Sequence, residues 1–155
     1  MGGVLTIEVV KNDITDETTD AITNTANGRL RHGAGLAGTI AKAAGQQLVE
    51  ESQRYVEEHG QVATTQVAVT GPGNLNPQIR HVIHAVGPVW NSEESESFNI
   101  NLLMHTIFNT LKKANELGCA SISIPAISAG IFGFPRPLCA KVHFYTLAKF
   151  VQIAQ

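Results

Sequence analysis

The strongest constraint on this chain is a regular switch of hydrophobic period. Short runs rich in Val and Ile alternate apolar and polar residues. Longer segments follow, with apolar residues returning every three to four positions. The runs "VLTIEVV" (4–10), "DAIT" (20–23), "QVAVT" (66–70), "HVIHAV" (81–86) and "SISIP" (121–125) read as strands. The segment "LAGTIAKAAG" reads as a helix ending at Gly45, and "QQLVEESQRYVEEHG" as one ending at Gly60. Both glycines suit helix C-caps, where a left-handed residue closes the last turn. Residues 98–118 place Leu103, Ile107, Leu111 and Ala114 on one face and stop at Gly118. Residues 136–153 carry Leu138, Val142, Tyr145 and Val151, with Pro137 in the first turn, where its missing N–H breaks no helical bond. Strands alternating with helices imply a three-layer α/β domain with a mostly parallel sheet. The acidic connector "WNSEESES" (90–97) reads as a solvated surface loop.

With 155 residues, the chain suits one domain with a single core. An apolar content of 43% against 15% charged residues fits a soluble globular protein rather than a disordered one. No apolar run approaches the roughly 18 residues that span a bilayer, so no membrane role is expected, and the N-terminus lacks a signal-peptide pattern. The opening Met1–Gly3 with Thr6 matches an N-myristoylation signal only weakly. Cys119 and Cys139 stand far apart and make neither a metal box nor a disulfide framework, which points to cytosol or nucleus. A net charge of -2 supplies no basic stripe for nucleic acid.

In α/β folds ligands sit where strand ends lead into loops and helix N-termini. Three such segments are unusual here: "KNDIT", "TNTANGRLRHGAGLAG" and "PAISAGIFGFP" (125–135). The stretch "GAGLAG" (33–38) satisfies G-x-G-x-x-G. Nine residues separate it from the strand, however, and the acids beyond it, Glu57 and Glu58, lie on a predicted helix. Both features argue against a nicotinamide site. What remains is physical: Gly33, Gly35 and Gly38 open a helix, so free N–H groups and the positive end of the helix dipole face the loop. Close helix–sheet packing accounts for Gly38 but not for three glycines in six residues.

The loop 125–135 contains no Lys, Arg, Asp, Glu or His, so its chemistry is that of its backbone. Ser128 before Gly130 invites comparison with a nucleophile elbow, but Ala126 replaces the first glycine and no His/Asp partner pattern accompanies it. Its small residues suit a second backbone cradle for phosphate. Two such loops at neighbouring strand ends could grip a diphosphate from both sides. Asp13 reads as a turn or helix N-cap. Asn24 and Asn27 bracket a turn-like "NTAN", and Asn24 is as well explained by turn formation as by function. His81 and His84 fall on opposite faces of a strand; His59, His105 and His143 read as surface or helix-end residues. His32 abuts the glycine loop and reads as a support residue before a catalyst.

In order and spacing, "NDIT", "NTAN", "HGAGLAGTIAKAAG" and "PAISAGIFGFP", with "VAVTGPGNL" and "HVIHAVGPVW" between them, resemble the motifs of the macrodomain family across nearly the whole chain. The set looks most similar to the macrodomains of multidomain ADP-ribosyltransferases. The resemblance implies a three-layer α/β/α fold with a mixed, mostly parallel sheet, and ADP-ribose as ligand with no cofactor or metal. It assigns Asp13 to the adenine amino group and Ile14 to the base, the latter also through its backbone amide. Asn27 would bond the distal ribose. Gly33, Ala34, Gly35, Leu36 and Ala37 would form the first phosphate loop, and Ser128, Ala129, Gly130, Ile131 and Phe132 the second. Phe132 would pack against the distal ribose.

Three departures from the family pattern bear on chemistry. The loop reads "HGAG" where three consecutive glycines are common, which brings the Cβ of Ala34 towards the ribose. Ala37 stands where the strongly hydrolytic class carries an aspartate, although viral relatives with alanine there still cleave mono-ADP-ribose. The chain also stops within the helix after the second loop, where the family continues into one more strand and a helix. The resemblance thus implies a single macrodomain over 1–155, a monomeric module of a larger protein, recognising mono-ADP-ribosylated proteins in cytoplasm or nucleus. Two functions share the same cleft: a non-catalytic reader, or a weak hydrolase of ADP-ribose esters on Asp and Glu using Asn27 and Phe132. A scaffold for RNA or poly-ADP-ribose lacks the basic patch it would need.

Overall fold

The computed structural model describes residues 4–153; Met1–Gly3, which carry the weak lipidation signal, lie outside the described residues. Four strands form one mixed sheet: β1 (Ala21–Thr25), β2 (Val67–Thr70), β3 (His81–Ala85) and β4 (Ile122–Ser123), in the order β2-β3-β1-β4. β1 runs parallel to β3, with Ala21 opposite His81 and Thr25 opposite Ala85, and parallel to β4. β2 is antiparallel to β3. The helices are α1 (Gly35–Ala44), α2 (Gln46–His59), α3 (Glu96–Glu116) and α4 (Arg136–Ile153), preceded by a 3-10 turn at Ile14–Asp16.

The period-two alternation of the strands sorts their side chains into two cores. Ile22 and Val82 point to one face and pack with Ile40, Ala44 and Leu48 of α1 and α2. On the other face Ala85 packs with Leu103, Ile107 and Leu111 of α3 and Cys139 and Val142 of α4. The result is a three-layer α/β/α sandwich. Full burial of each Ile or Leu contributes about 1.5–3 kcal/mol, so both layers hold the sheet firmly. The helix ends follow the sequence punctuation: Gly45 (φ 86) and Gly60 (φ 80) donate their N–H groups back to Ala41 and Val56. Ser95 caps α3 by accepting from the Phe98 N–H.

Three expectations are corrected. Residues 4–10 form no strand, and Val4, Val9 and Val10 stand exposed. Alternation gives a segment strand propensity, but a strand also needs a hydrogen-bonding partner, and no described segment pairs with 4–10. The last strand pairs over Ile122–Ser123 only, rather than over 121–125. On α4 the buried side chains are Cys139, Val142 and Thr146, while Tyr145 is exposed.

Candidate functional site

β1 ends in the first loop. Gly28 packs so closely that a Cβ would lie 2.7 Å from the Val62 carbonyl oxygen. The side chain of Asn27 folds back on the loop, donating to the Arg31 carbonyl (2.9 Å) and accepting from the Arg31 N–H (3.1 Å). Leu30, buried at φ 50, pins the loop between them. Ala34 is extended (φ -152) and begins α1 with no side-chain cap, and Gly35 follows at φ 59. The first helical bond runs from the Gly38 N–H to the Ala34 carbonyl. Among the described residues no hydrogen bond uses the N–H groups of Gly33, Ala34, Gly35, Leu36 or Ala37. Those of Gly35, Leu36 and Ala37 are the orphan donors at a helix N-terminus, where the dipole favours negative charge. At Gly38 an added Cβ would meet the Gly33 carbonyl carbon and the His32 carbonyl oxygen at 3.5 Å, ordinary contact within the loop, so close helix–sheet packing does not require a glycine there.

The second loop opens no helix until Arg136. Its shape comes from backbone bonds of its own: Ala129 N–H to Ala126 O (3.2 Å), Gly133 N–H to Gly130 O (3.0 Å) and Phe134 N–H to Ser128 O (2.8 Å). The Phe132 carbonyl accepts from the Trp90 N–H at 2.8 Å. The N–H groups of Ser128, Gly130, Ile131 and Phe132 engage no partner among the described residues. Ser128 sits at φ 68, and its hydroxyl is buried without a hydrogen-bond partner. No His or acidic side chain reaches it, so a serine nucleophile is unsupported. Gly87, just after β3, makes room for this turn: a Cβ there would lie 2.3 Å from Ser128 Oγ and 2.7 Å from Ile127 Cγ2.

The two loops face one another. A Cβ on Gly35 would lie 3.7 Å from Cδ1 of Ile131. Gly33 and Gly130 border open space, with nothing within 4 Å of an added Cβ. Ile14 and Leu36 pack against the same buried cluster, which sets the 3-10 turn beside the first loop. Asp13 caps that turn, accepting at Oδ1 from the Thr15 N–H (2.9 Å) and hydroxyl (2.6 Å). These bonds hold its carboxyl below the usual range, so it is ionised. The expected first-loop residues and Asp13–Ile14 thus share one neighbourhood, with the second loop opposite. Phe132 is half-buried at the far end of that loop. Ala37 is buried in the first turn of α1.

Beneath the first loop lies a polar network that residue spacing did not reveal. Asn24, fully buried on β1, is no turn former. Its Nδ2 donates to Nδ1 of His84 (2.9 Å) and of His32 (3.3 Å). With both Nδ1 atoms accepting, each ring carries its proton on Nε2, placed to donate to Thr70 Oγ1 (2.8 Å) and to Ser52 Oγ (2.9 Å). The rings stack at 5.0 Å. Burial pushes His84 down to about 3, with the neighbouring His32 adding to it, and burial lowers His32 as well. Both rings are neutral at ordinary pH and hold the residue before Gly33 in place. His143, assigned above to a surface or helix end, also points inward: its Nε2 accepts from the Ile127 N–H at 3.3 Å.

The family model described as "Macro domain" matches residues 23–143. An O-acetyl-ADP-ribose deacetylase of Escherichia fergusonii is 40% identical over 94% of this chain and 80% of its own length. The protein mono-ADP-ribosyltransferase PARP9 of Mus musculus is 38% identical over 96% of this chain, which spans only 17% of that protein. The chain likewise spans 24% of an uncharacterized Thermotoga maritima protein with which it is 44% identical. Among solved structures, the Oceanobacillus iheyensis macrodomain superposes with a TM-score of 0.83 and 36% identity, covering 91% of this chain and 74% of that one. It has been solved with ADP and, as a mutant, with ADPR. By the family match, which spans most of its length, and by its fold, this chain belongs to the Macro domain family.

Proposed function

We propose that the cleft binds ADP-ribose and recognises mono-ADP-ribosylated proteins, as a monomeric module of a larger cytoplasmic or nuclear protein. The observation that carries this reading is the pair of opposed loops, each offering unengaged backbone N–H groups from segments, 33–37 and 128–132, that themselves contain no Lys or Arg. A diphosphate accepts from such donors without needing a counter-charge. Asp13 lies at the adenine end, with Oδ2 free to accept from an exocyclic amine. In this reading Asn27 and Phe132 serve the distal ribose, and Asn27 exchanges its bonds to the Arg31 backbone for the ligand. Complexes of the Oceanobacillus iheyensis relative with ADP and ADPR support the ligand class. Calorimetry tests it: ADP-ribose binds in the micromolar range, about -8 kcal/mol, and AMP, which lacks the diphosphate and distal ribose, binds far more weakly. A folded protein that gives no ADP-ribose heat would refute the reading.

The same cleft slowly hydrolyses the ester between ADP-ribose and an Asp or Glu side chain. Water adds, the ribose–carboxylate ester bond breaks, and ADP-ribose and a free carboxylate leave. Asn27 and the two loops position the reacting groups. No carboxylate stands at Ala37 to act as general base, a role commonly contributing about 10²–10⁴-fold, so turnover is low. The deacetylase relative supports ester chemistry. Release of ADP-ribose from a glutamate-modified substrate, faster than an enzyme-free control and reduced more than binding by Asn27→Ala, is the expected result. The competing reading, a pure reader, is favoured by the buried Ala37. Intact binding with release at the control rate decides for it.

A further inference from the structure

Two side chains of α4 hold both backbone groups of one residue at the root of the second loop. The Ile127 N–H donates to His143 Nε2 at 3.3 Å, and the Cys139 thiol donates to the Ile127 carbonyl at 3.3 Å. His143 is oriented for this by its other nitrogen, which donates to the Cys139 carbonyl at 2.7 Å, one helical turn back. With Nδ1 carrying the proton, Nε2 is left as an acceptor, the tautomer that an inward-facing N–H requires. Burial lowers the proton affinity of His143, with the Cys139 and Pro125 carbonyls acting the other way, and the ring stays neutral at ordinary pH. Burial also pushes the Cys139 thiol up to about 11, keeping it a protonated donor.

The geometry assigns His143 as a positioning residue for the second loop: it fixes the peptide of Ile127 and thereby aims the N–H groups of Ser128 and Gly130 into the cleft. Ile127 is fully buried and seated on Gly87, and the next residue, Ser128, holds a left-handed conformation that a side chain adopts only when its surroundings impose it. The loop carries no helix to orient its donors, so its aim depends on contacts made to it from elsewhere. Cys139 supports the carbonyl of the same residue, and together the two side chains leave Ile127 no unpaired backbone group. The inference rests on reading the cleft as a diphosphate site, and its test separates the two.

Three proteins are compared: wild type, His143→Leu, which removes the acceptor, and His143→Gln, whose amide oxygen reaches the place of Nε2 and restores it. His143→Leu is expected to weaken ADP-ribose binding by about tenfold, the scale of one well-placed buried hydrogen bond. It should also speed amide exchange at Ile127 in the ligand-free protein. His143→Gln should stay within about threefold of wild type by the same scale. In wild type, nitrogen NMR should show Nδ1 protonated and Nε2 bare. A folded His143→Leu protein with unchanged affinity and unchanged Ile127 exchange overturns the assignment, as does a glutamine variant no better than leucine. If the leucine variant does not fold, the wild-type tautomer and the glutamine variant decide: a protonated Nε2, or an affinity loss of tenfold in glutamine, overturns it. Should wild type give no ADP-ribose heat at all, the diphosphate reading fails, while Ile127 exchange still judges the clamp.

Discussion

Residues 35–37 present free N–H groups because a helix starts there, whereas residues 128 and 130–132 present theirs because the chain is bent into turns and held from below. In the first loop the donors are the orphan amides that every α-helix leaves at its N-terminus, and the dipole comes with them. In the second loop the amides of 129, 133 and 134 are consumed in bending the chain, and those of 128, 130, 131 and 132 are left without a partner among the described residues. The anchors differ to match. His32 ties the first loop to Asn24 and Ser52, residues of β1 and α2. The second loop leans on Gly87 below and on Cys139 and His143 of α4. A helix N-terminus is a general solution to anion binding; a free-standing turn must be built for its place.

The largest expected effect tests whether both loops serve one ligand. Gly33 and Gly130 each face open space, so a glutamate at either fits the unliganded fold and leaves stability within about 0.5 kcal/mol. Each would put a carboxylate where a diphosphate must approach. Gly130→Glu and Gly33→Glu are both expected to abolish measurable ADP-ribose binding in calorimetry. Loss in only one of them would break the two-sided cradle and leave a single-loop site.

Next come the glycines beneath the loops. Gly87→Ala drives a Cβ against Ser128 Oγ and Ile127 Cγ2, and Gly28→Ala drives one against the Val62 carbonyl. Each is expected to cost about 1–3 kcal/mol by overpacking, read from denaturant midpoints. The difference between loops should appear in binding. Gly87→Ala displaces the turn whose amides do the gripping and should weaken ADP-ribose strongly. Gly28→Ala acts upstream of a loop whose donors are set by α1 and should weaken it less. Equal losses would show that the first loop is no better anchored than the second.

Acid should loosen both anchors with a known sign. His84, His32 and His143 all have proton affinities lowered in the fold, His84 to about 3. The unfolded chain, with histidines near the ordinary 6.5, binds more protons than the native state between those values. Stability is therefore whole above about pH 6.5 and falls as the pH drops towards 3. Thermal unfolding from pH 7.5 to 4 should show that decline, and His84→Gln should flatten it. A slope unchanged in that variant would place the acid sensitivity outside the histidine network.

How much of this was legible in the sequence follows from the range of the interactions involved. The helices and their glycine caps are local: α1 and α2 end where the pattern says, and α4 begins where it says. So are the two loops, whose function lies in their backbone and so in their glycines and small residues. The run 4–10 misleads because alternation reports propensity and not a partner. Asn24 and His84 are opaque because their partners are remote: Thr70 lies on another strand, and Ser52 closes the network from α2 through His32. Period-two spacing places His84 on the α1 side of the sheet but cannot say that a buried amide waits there. His143 reads as exposed for the same reason, since its partner is a backbone N–H in a different loop.

The smallest expected effect lies at the adenine end, outside both loops. Asp13 is exposed, and Thr15 already occupies its Oδ1 twice, so only Oδ2 remains for a base. A hydrogen bond there competes with water and is screened by salt, so Asp13→Ala should weaken ADP-ribose only several-fold, far less than a glutamate in either cradle. Alanine also removes the cap of the 3-10 turn, which by itself could shift Ile14. Asp13→Asn separates the two effects. Its amide oxygen can still accept from Thr15, while its NH₂ group meets the adenine amine as donor against donor. If Asp13 reads the base, both variants lose the preference for ADP-ribose over inosine diphosphate ribose, whose hypoxanthine has no exocyclic amine. If Asp13 only shapes the turn, asparagine behaves as wild type and alanine weakens both ligands equally. Titration of the two ligands against the three proteins distinguishes these outcomes, and an undiminished preference in Asp13→Asn would move the adenine contact away from this residue.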